Sequence, residues 1–470
     1  MKGWSLALAT LAFVFTGIAL AADEDKDLDL IPGQSSHSEQ VLGPASGSLF
    51  GGEGRLFVEN ALSFAATRND LLVPVPAPTS PRWQEQFFGD ARMEWPLGSN
   101  AHAVYSGRLN LVAEDGLGFP NRGNVTNDLR EAYVSVEPHP RSYFDAGRIN
   151  LKSGVALGFN PTDFFKARAV VDPLTADPSA LSEDRLGTVM IRGQRVGEAS
   201  SLMVAYAPHL THQVPLAPDP YRGFDPLWGR TNGTDRWLVK ASAQLGDGVN
   251  PEVLAYGEKG KWQLGVNIAE SMGQSTVAYL EWSGGRNVSI ADQALEFARA
   301  TGTIPPDAPG VFTQGSDERF RSRVAVGASY TTESKITFNL EYHYNGAGFS
   351  RADWNRWFAA GEGRPDSSAI VRTLWYIRDY AAAQQEPIQQ HSIFVRADWV
   401  DAFVPKLELT GFVMADAADG SSLWQGESNY ATTDLWSFGV LASGTTGGRH
   451  SNFGSLPRET RILLKVMRYF

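Results

Sequence analysis

Cysteine is absent from this sequence. That excludes disulfide staples, thiolate metal sites and a lipid attached through an N-terminal cysteine. Long apolar runs are equally scarce. After the first stretch, none reaches the roughly 20 residues a membrane helix requires, so a helical membrane protein is excluded. Runs of basic residues are missing too, and the formal net charge is −11, so no nucleic-acid partner is expected. No nucleophile elbow, H-E-x-x-H, phosphate loop or dinucleotide fingerprint occurs, so no enzyme, cofactor or metal site is expected. Asp416 and Asp419-Gly420 read as an ordinary turn.

What is present is β chemistry. Aromatic residues make up 11% of the chain and glycine occurs 47 times, a mixture suited to many strands joined by tight turns, with aromatic belts at two interfaces. The 470 residues would otherwise imply several soluble domains, but one closed sheet can consume the whole length. The first 21 residues read as a signal peptide. Lys2 gives a positive start, Ser5 to Leu20 is apolar, and Ala19-Leu20-Ala21 supplies a small-residue cleavage pattern. Residues 22–50 carry an acidic cluster and a Ser/Gly-rich sequel, which read as a disordered periplasmic tail. Residues 51–470 then form the barrel unit.

About eighteen β-length segments follow, from 54–67 to 460–470, with sixteen as the alternative number. Their faces alternate cleanly. Phe338, Leu340 and Tyr342 oppose Asn339, Glu341 and His343, and Trp262, Leu264 and Val266 oppose Gln263, Gly265 and Asn267. Connections of alternate rank are very short (98–100, 138–140, 196–199, 272–274, 332–334, 431–433). Most of the others are long (68–84, 152–184, 208–233, 286–318, 347–390, 444–459). A sandwich has no reason to sort its loops in this way. A transmembrane antiparallel barrel does, with short turns on the periplasmic side and long loops outside. The last segment ends Lys465-Val-Met-Arg-Tyr-Phe470, with Ile462, Leu464, Val466 and Phe470 on one face and Arg461, Lys465 and Tyr469 on the other. Closure of a barrel requires such a last strand to pair with the first.

A channel needs polar side chains facing water inside the wall. The alternation assigns that face to Arg108, Arg148, Lys240, Glu281, Arg323, Lys335, Glu341, His343, Arg396, Asp398 and Lys465. Two long connections have internal features. In 152–184, Asn160-Pro-Thr-Asp reads as a turn followed by a helix cap at Thr162 or Asp163. An inward-folded constriction loop would present Asp163, Lys166 and Arg168 to solute. In 347–390, the aromatics of 351–358 and 368–380 recur at helical spacing, as a plug, a lid or packing on the rim.

The signal segment, the dyad strands and the terminal aromatic strand together resemble Gram-negative outer-membrane porin-like proteins. Tyr469 and Phe470 resemble the C-terminal assembly signal of such barrels, with Arg468 as a departure from it. Leu435-Trp-Ser-Phe-Gly-Val-Leu-Ala, followed by Ser451-Asn-Phe-Gly, resembles their closing hairpin. The strand number is similar to substrate-specific monomeric porins and to alginate-export barrels, although the latter imply a strongly basic lumen and this one is mixed. Nothing resembles the plug domain of an energy-coupled receptor. The resemblance implies an outer-membrane location, with lipids, periplasmic chaperones and the barrel-assembly machinery as partners. The implied function is passive diffusion of small hydrophilic solutes through a charged lumen. The alternatives are a gated exporter of a polysaccharide or other specialised substrate, and a structural or adhesive surface barrel with a blocked lumen.

Overall fold

Period-2 alternation becomes a single sheet in the computed structural model, which describes residues 47–49, 52–76, 81–115, 125–171, 174–216, 225–245, 249–304 and 317–470. The signal segment 1–21 and most of the 22–50 tail lie outside the described residues. A three-residue strand, β1 (Gly47–Leu49), precedes the wall. The first half of the wall comprises β2 (Gly52–Thr67), β3 (Trp83–Pro96), β4 (Ala101–Glu114), β5 (Val125–His139), β6 (Ser142–Ile149), β7 (Thr188–Val196), β8 (Ser200–Ala207) and β9 (Arg236–Ala243). The second half begins with β10 (Glu252–Glu258), β11 (Lys261–Met272), β12 (Thr276–Asn287), β13 (Arg319–Thr331) and β14 (Ile336–Asn345). It ends with β15 (His391–Trp399), β16 (Leu407–Asp416), β17 (Ser422–Ala431), β18 (Trp436–Thr446) and β19 (Arg458–Tyr469).

Each strand from β2 to β19 pairs antiparallel with its neighbours in sequence, and β19 pairs with β2, so eighteen strands form a closed barrel. Ile462 faces Phe64 and Leu464 faces Leu62 across the seam. β19 stops opposite Phe57, and β1 takes over the pairing of β2 at Gly52–Gly54. Closure leaves no row of unpaired amides in contact with lipid, the condition for a sheet to span a bilayer.

The outer surface is apolar where the strands cross. Phe338, Leu340, Ile393, Val395, Leu464 and Val440 are all exposed, while Asn339, Glu341, Ser392 and Gln425 on the opposite face are buried. A soluble protein exposing so much contiguous apolar area would associate, whereas lipid tails solvate it. Aromatic groups mark both rims. Trp237 and Trp262 meet edge-on at 4.6 Å between ring centroids at the long-loop end. At the short-turn end Trp399 lies against Phe403, and the Arg468 guanidinium stacks between Trp436 and Phe470. The departure at Arg468 is thus a cation held over two aromatic rings at one rim.

Three helices cap the long-loop end: α3 (Ile290–Ala300), α4 (Arg351–Gly361) and α5 (Ala369–Ala383). Two shorter ones, α1 (Pro178–Glu183) and α2 (Trp228–Thr231), belong to other loops. The helical spacing expected in 347–390 is realised as α4 and α5; α3 was not foreseen within 286–318. Ser350 and Asp353 close a capping box at the start of α4. Trp354, Trp357, Phe358, Leu374, Ile377 and Phe297 pack into one apolar cluster with Val73. The Trp357 indole donates to the Leu374 carbonyl at 3.1 Å, and the Trp375 indole donates to the Pro74 carbonyl at 2.8 Å. Burying each such side chain contributes roughly 1.5–3 kcal/mol, so the cap is a small core in its own right.

Candidate functional site: an inward loop across the lumen

The connection from β6 to β7, residues 150–187, does not stay outside. It turns into the barrel and touches the wall on several sides. Two glutamates on the inner face of the wall hold it. Glu281 on β12 accepts the amides of Val155 and Ala156, the latter at 2.5 Å, and the Thr162 hydroxyl at 3.1 Å. Glu341 on β14 accepts the amides of Leu157 at 2.6 Å and Gly158 at 2.9 Å, with the Tyr279 hydroxyl donating at 2.6 Å. His343 Nε2 stands 2.8 Å from the same carboxylate. The approach is so close that glycine is required: a Cβ on Gly158 would lie 2.8 Å from the His343 ring and 3.0 Å from Glu341. Gly154 adopts φ 87°, the left-handed region that favours glycine.

Asn160 shapes the tip. Its side-chain oxygen accepts the amides of Thr162 and Asp163 at 3.1 Å, and its amide group donates to the Ser153 carbonyl at 2.5 Å. The cap-like bonds thus come from Asn160 and not from Thr162 or Asp163, and residues 161–168 run in successive turns without forming a helix. The expected helix cap is corrected accordingly. The three charges expected at the tip meet protein partners. Asp163 pairs with Arg185 at 2.6 Å, both buried. Lys166 pairs with Glu386 at 2.9 Å and donates to the Asn160 carbonyl. Arg168 adopts φ 59°, lies over the Phe297 ring at 4.8 Å, and gives its backbone amide to the Ala383 carbonyl at 2.6 Å. Burial pulls the Arg168 guanidinium below the ordinary arginine range.

The second half of the loop crosses to other strands. Asp177, which caps α1, takes both of its contacts with Arg396 of β15 at 2.6 Å, and Arg396 also grips Asp398 at 2.7 Å. Gln425 of β17 bonds Ala176 and Thr175 at 2.9 and 2.8 Å. Arg461 of β19 donates to the Leu174 carbonyl at 2.9 Å. Asp184 closes the circuit at the opposite wall, 2.9 Å from Arg108 and 2.7 Å from Arg130, and both arginines also hold Asp90. Burial works against the Asp184 charge, but Arg108 and Arg130 outweigh it and keep the carboxyl below its usual range.

Of the side chains assigned to the lumen by alternation, Arg108, Glu281, Glu341, His343 and Arg396 surround this loop. Arg148 stands on the same face but reaches the Gly187 carbonyl at 2.9 Å and the Pro226 carbonyl at 2.5 Å, so it fixes loop backbones. Lys240 pairs with Glu252 at 2.8 Å, and Lys465 pairs with Glu427. Arg323 bonds Gln263 at 3.3 Å. Lys335 does not line the wall. It sits at φ 60° in the short turn before β14 and pairs with Asp401 of the next turn at 2.5 Å. The period-2 pattern had been carried one residue past the strand. Tyr469 turns inward against Phe57 at 5.6 Å, whereas Phe470 is exposed at the rim. Asp416 and Asp419 accept backbone amides of their own turn and of Asn452. Glu386, Arg185, Asp184 and Gln425 were missed. Asp177-Pro178-Ser179 did carry a readable signal, since an acidic cap before proline marks a helix start.

The loop and the end of α5 divide the outer half of the lumen into two compartments. The larger, about 990 Å³, lies against β16–β19 and is lined by Trp375, Arg378, Met414, Phe453, Arg458 and Arg461, among others. The smaller, about 350 Å³, lies against β9–β13.

A closed eighteen-strand barrel with an apolar exterior, a polar interior and a loop folded across its lumen defines the outer-membrane porin fold. Solved structures agree at the level of fold. OccAB1 of Acinetobacter baumannii superposes with a TM-score of 0.51 at 10% identity, covering 91% of this chain and 99% of that one. OccK5 (OpdH) of Pseudomonas aeruginosa gives 0.51 at 8% identity, covering 90% and 99%. OccAB3 of Acinetobacter baumannii gives 0.51 at 9%, covering 90% and 100%. No family model matches the chain, and no curated protein matches it.

Proposed function

We propose that this protein is a passive outer-membrane channel for small hydrophilic solutes, exported by the 1–21 segment, with the 150–187 loop as its constriction. One observation carries the reading: the loop is pinned to the inner wall on both sides of the lumen, by Glu281 and Glu341 and by Arg108 and Arg130, yet leaves a compartment of about 990 Å³ beside it. A structural barrel has no need of a loop held at a fixed depth with space at its flank. A size filter does. No catalytic constellation is required, and we read the charged groups at the loop as wall and filter. Tyr469 and Phe470 would serve assembly into the membrane.

A gated variant has its own support. Arg168 bonds Ala383, Lys166 pairs with Glu386, and the Gln385 side chain donates to the Lys166 carbonyl at 2.8 Å, so the constriction is attached to the end of a lid helix. Conductance of the refolded protein in a planar bilayer tests both readings. Stable unitary steps are expected from the intact chain. Silence from a heat-modifiable, folded barrel, relieved by deleting 347–390, would replace the open channel with the gated one. Silence in both would remove the channel reading.

A further inference from the structure

We infer that the smaller compartment is a binding site for a soluble phosphate- or sulfate-bearing solute, a reading that rests on the channel proposal for how that solute arrives. The compartment is enclosed by the loop tip, α3, the end of α5 and the outer ends of β9–β13. Its acidic groups are mostly spent elsewhere. Asp163 is neutralised by Arg185, and Glu386 is held by Lys166 and approached by Arg323 at 3.6 Å. Glu258, which accepts the Tyr256 hydroxyl at 2.8 Å, and Glu296 remain.

Against these two acids stand five cations: Arg168, Arg236, Lys259, Lys261 and Arg286. Arg168 is 7% exposed and has no carboxylate within ion-pair distance among the described residues, and its Nη1 lacks any hydrogen-bond partner. Arg236 is 3% exposed; it donates to Thr188 and to the Thr231 carbonyl, but its Nε is unpartnered. The Lys259 ammonium has only the Gln213 amide oxygen, at 3.2 Å. The Lys261 ammonium has no hydrogen bond or ion pair among the described residues. Burial pulls both Arg168 and Lys259 downward and outweighs Glu258, which opposes it at each, with Arg236 adding to the effect on Arg168 and Arg168 to that on Lys259. A surplus of three positive charges over these two acids therefore lines one compartment.

Water compensates such a surplus poorly, and a dianion compensates most of it. A phosphoryl or sulfate group also supplies several acceptor oxygens, which a guanidinium fork and two mobile ammonium groups engage together. A monocarboxylate would leave two charges unmatched. The larger compartment is partly apolar, lined by Trp375 and Phe453, and both of its lysines, Lys152 and Lys166, are paired with carboxylates, Glu183 and Glu386.

The test is equilibrium binding of inorganic phosphate to the refolded full-length barrel in detergent, followed by phosphorus NMR, with bilayer current recorded in parallel. Saturable binding is expected, weakened roughly tenfold by Arg168→Gln and roughly threefold by Lys261→Gln. Arg458→Gln, in the larger compartment, should leave it unchanged. Lys261 is exposed at the strand end, so its variant folds even where that of Arg168 does not. Absence of saturable binding, equal binding by Lys261→Gln, or displacement by acetate at the same concentration would overturn the assignment. Binding without any channel current would leave the site standing and remove the channel reading, so the two failures are distinguishable.

Discussion

Glu281 and Glu341 occupy the position where an aliphatic wall residue would be simplest to accommodate, and the loop explains why they are there. Each is fully buried and accepts two consecutive backbone amides, Val155 and Ala156 or Leu157 and Gly158. Hydrogen bonds to a charged acceptor contribute about 1.5–3 kcal/mol each, so either residue fixes a two-residue stretch by about 3 kcal/mol or more. Glu341→Ala removes both bonds and leaves four polar groups unpaired. Its expected result is a loop loosened at Gly158, read as larger and noisier single-channel steps and as new proteolytic cleavage within 150–187. Glu341→Gln keeps one acceptor oxygen and should lie between the two. Unchanged current noise in both variants would show that the loop is held by its other contacts alone. Alternation placed Glu281 and Glu341 on the lumenal face from the sequence, but it gave no account of their partners. Those partners are more than a hundred residues away, and a carboxylate bound to backbone amides leaves no pattern in side-chain identity. Lys335 failed for a more local reason: positive φ at a non-glycine residue is invisible to periodicity.

At the scale of elements, the lid and the constriction are two loops that share a boundary. α4 and α5 are amphipathic by sequence, and their aromatics build the apolar cluster with α3. What the helical spacing does not show is where α5 ends. Its last turn lies over the loop tip, so that Ala383, Gln385 and Glu386 meet Arg168 and Lys166. Sequence patterns report faces, whereas the meeting of two loop ends depends on the barrel that brings β6 and β15 round to one mouth. Trp357 is the centre of the cap, fully buried and in edge-on contact with Phe358 and Trp375. Trp357→Ala is expected to destabilise the cap by about 3–5 kcal/mol. The eighteen-strand ladder is not built on that cluster, so the effect should appear as protease access to 347–390 with the heat-modifiable barrel band retained. A coincident loss of the band would mean that cap and wall fold as one unit.

Around the whole molecule both signs of charge line the lumen, and the loop is complementary to both. Arg108, Arg130, Arg148 and Arg236 stand on β4–β9 together with Asp128 and Asp145, while Glu281, Glu341 and Glu427 share the rest of the wall with Arg396, Arg461 and Lys465. The loop offers Asp184 to the arginines and backbone N–H groups to the glutamates. A solute therefore meets a field already largely cancelled, and weak ion selectivity is expected from the intact chain. Asp184 is the group through which this balance can be shifted. Its folded carboxyl titrates below the ordinary range because Arg108 and Arg130 overcome the effect of burial. The tether it provides is thus complete above the unfolded carboxylate value of about 4 and is lost as pH falls through the lower, folded value. Asp184→Asn should reproduce at neutral pH what acid does to the wild type: one unmatched positive charge shared by Arg108 and Arg130 at the lumen, and a reversal potential moved toward anion selectivity in a salt gradient. At about 1 M salt, where the screening length is about 3 Å, the difference between variant and wild type should shrink sharply. An Asp184→Asn channel with unaltered reversal potential at low salt would show that Arg108 and Arg130 are silent to passing ions, their remaining contact with Asp90 being enough to hold them.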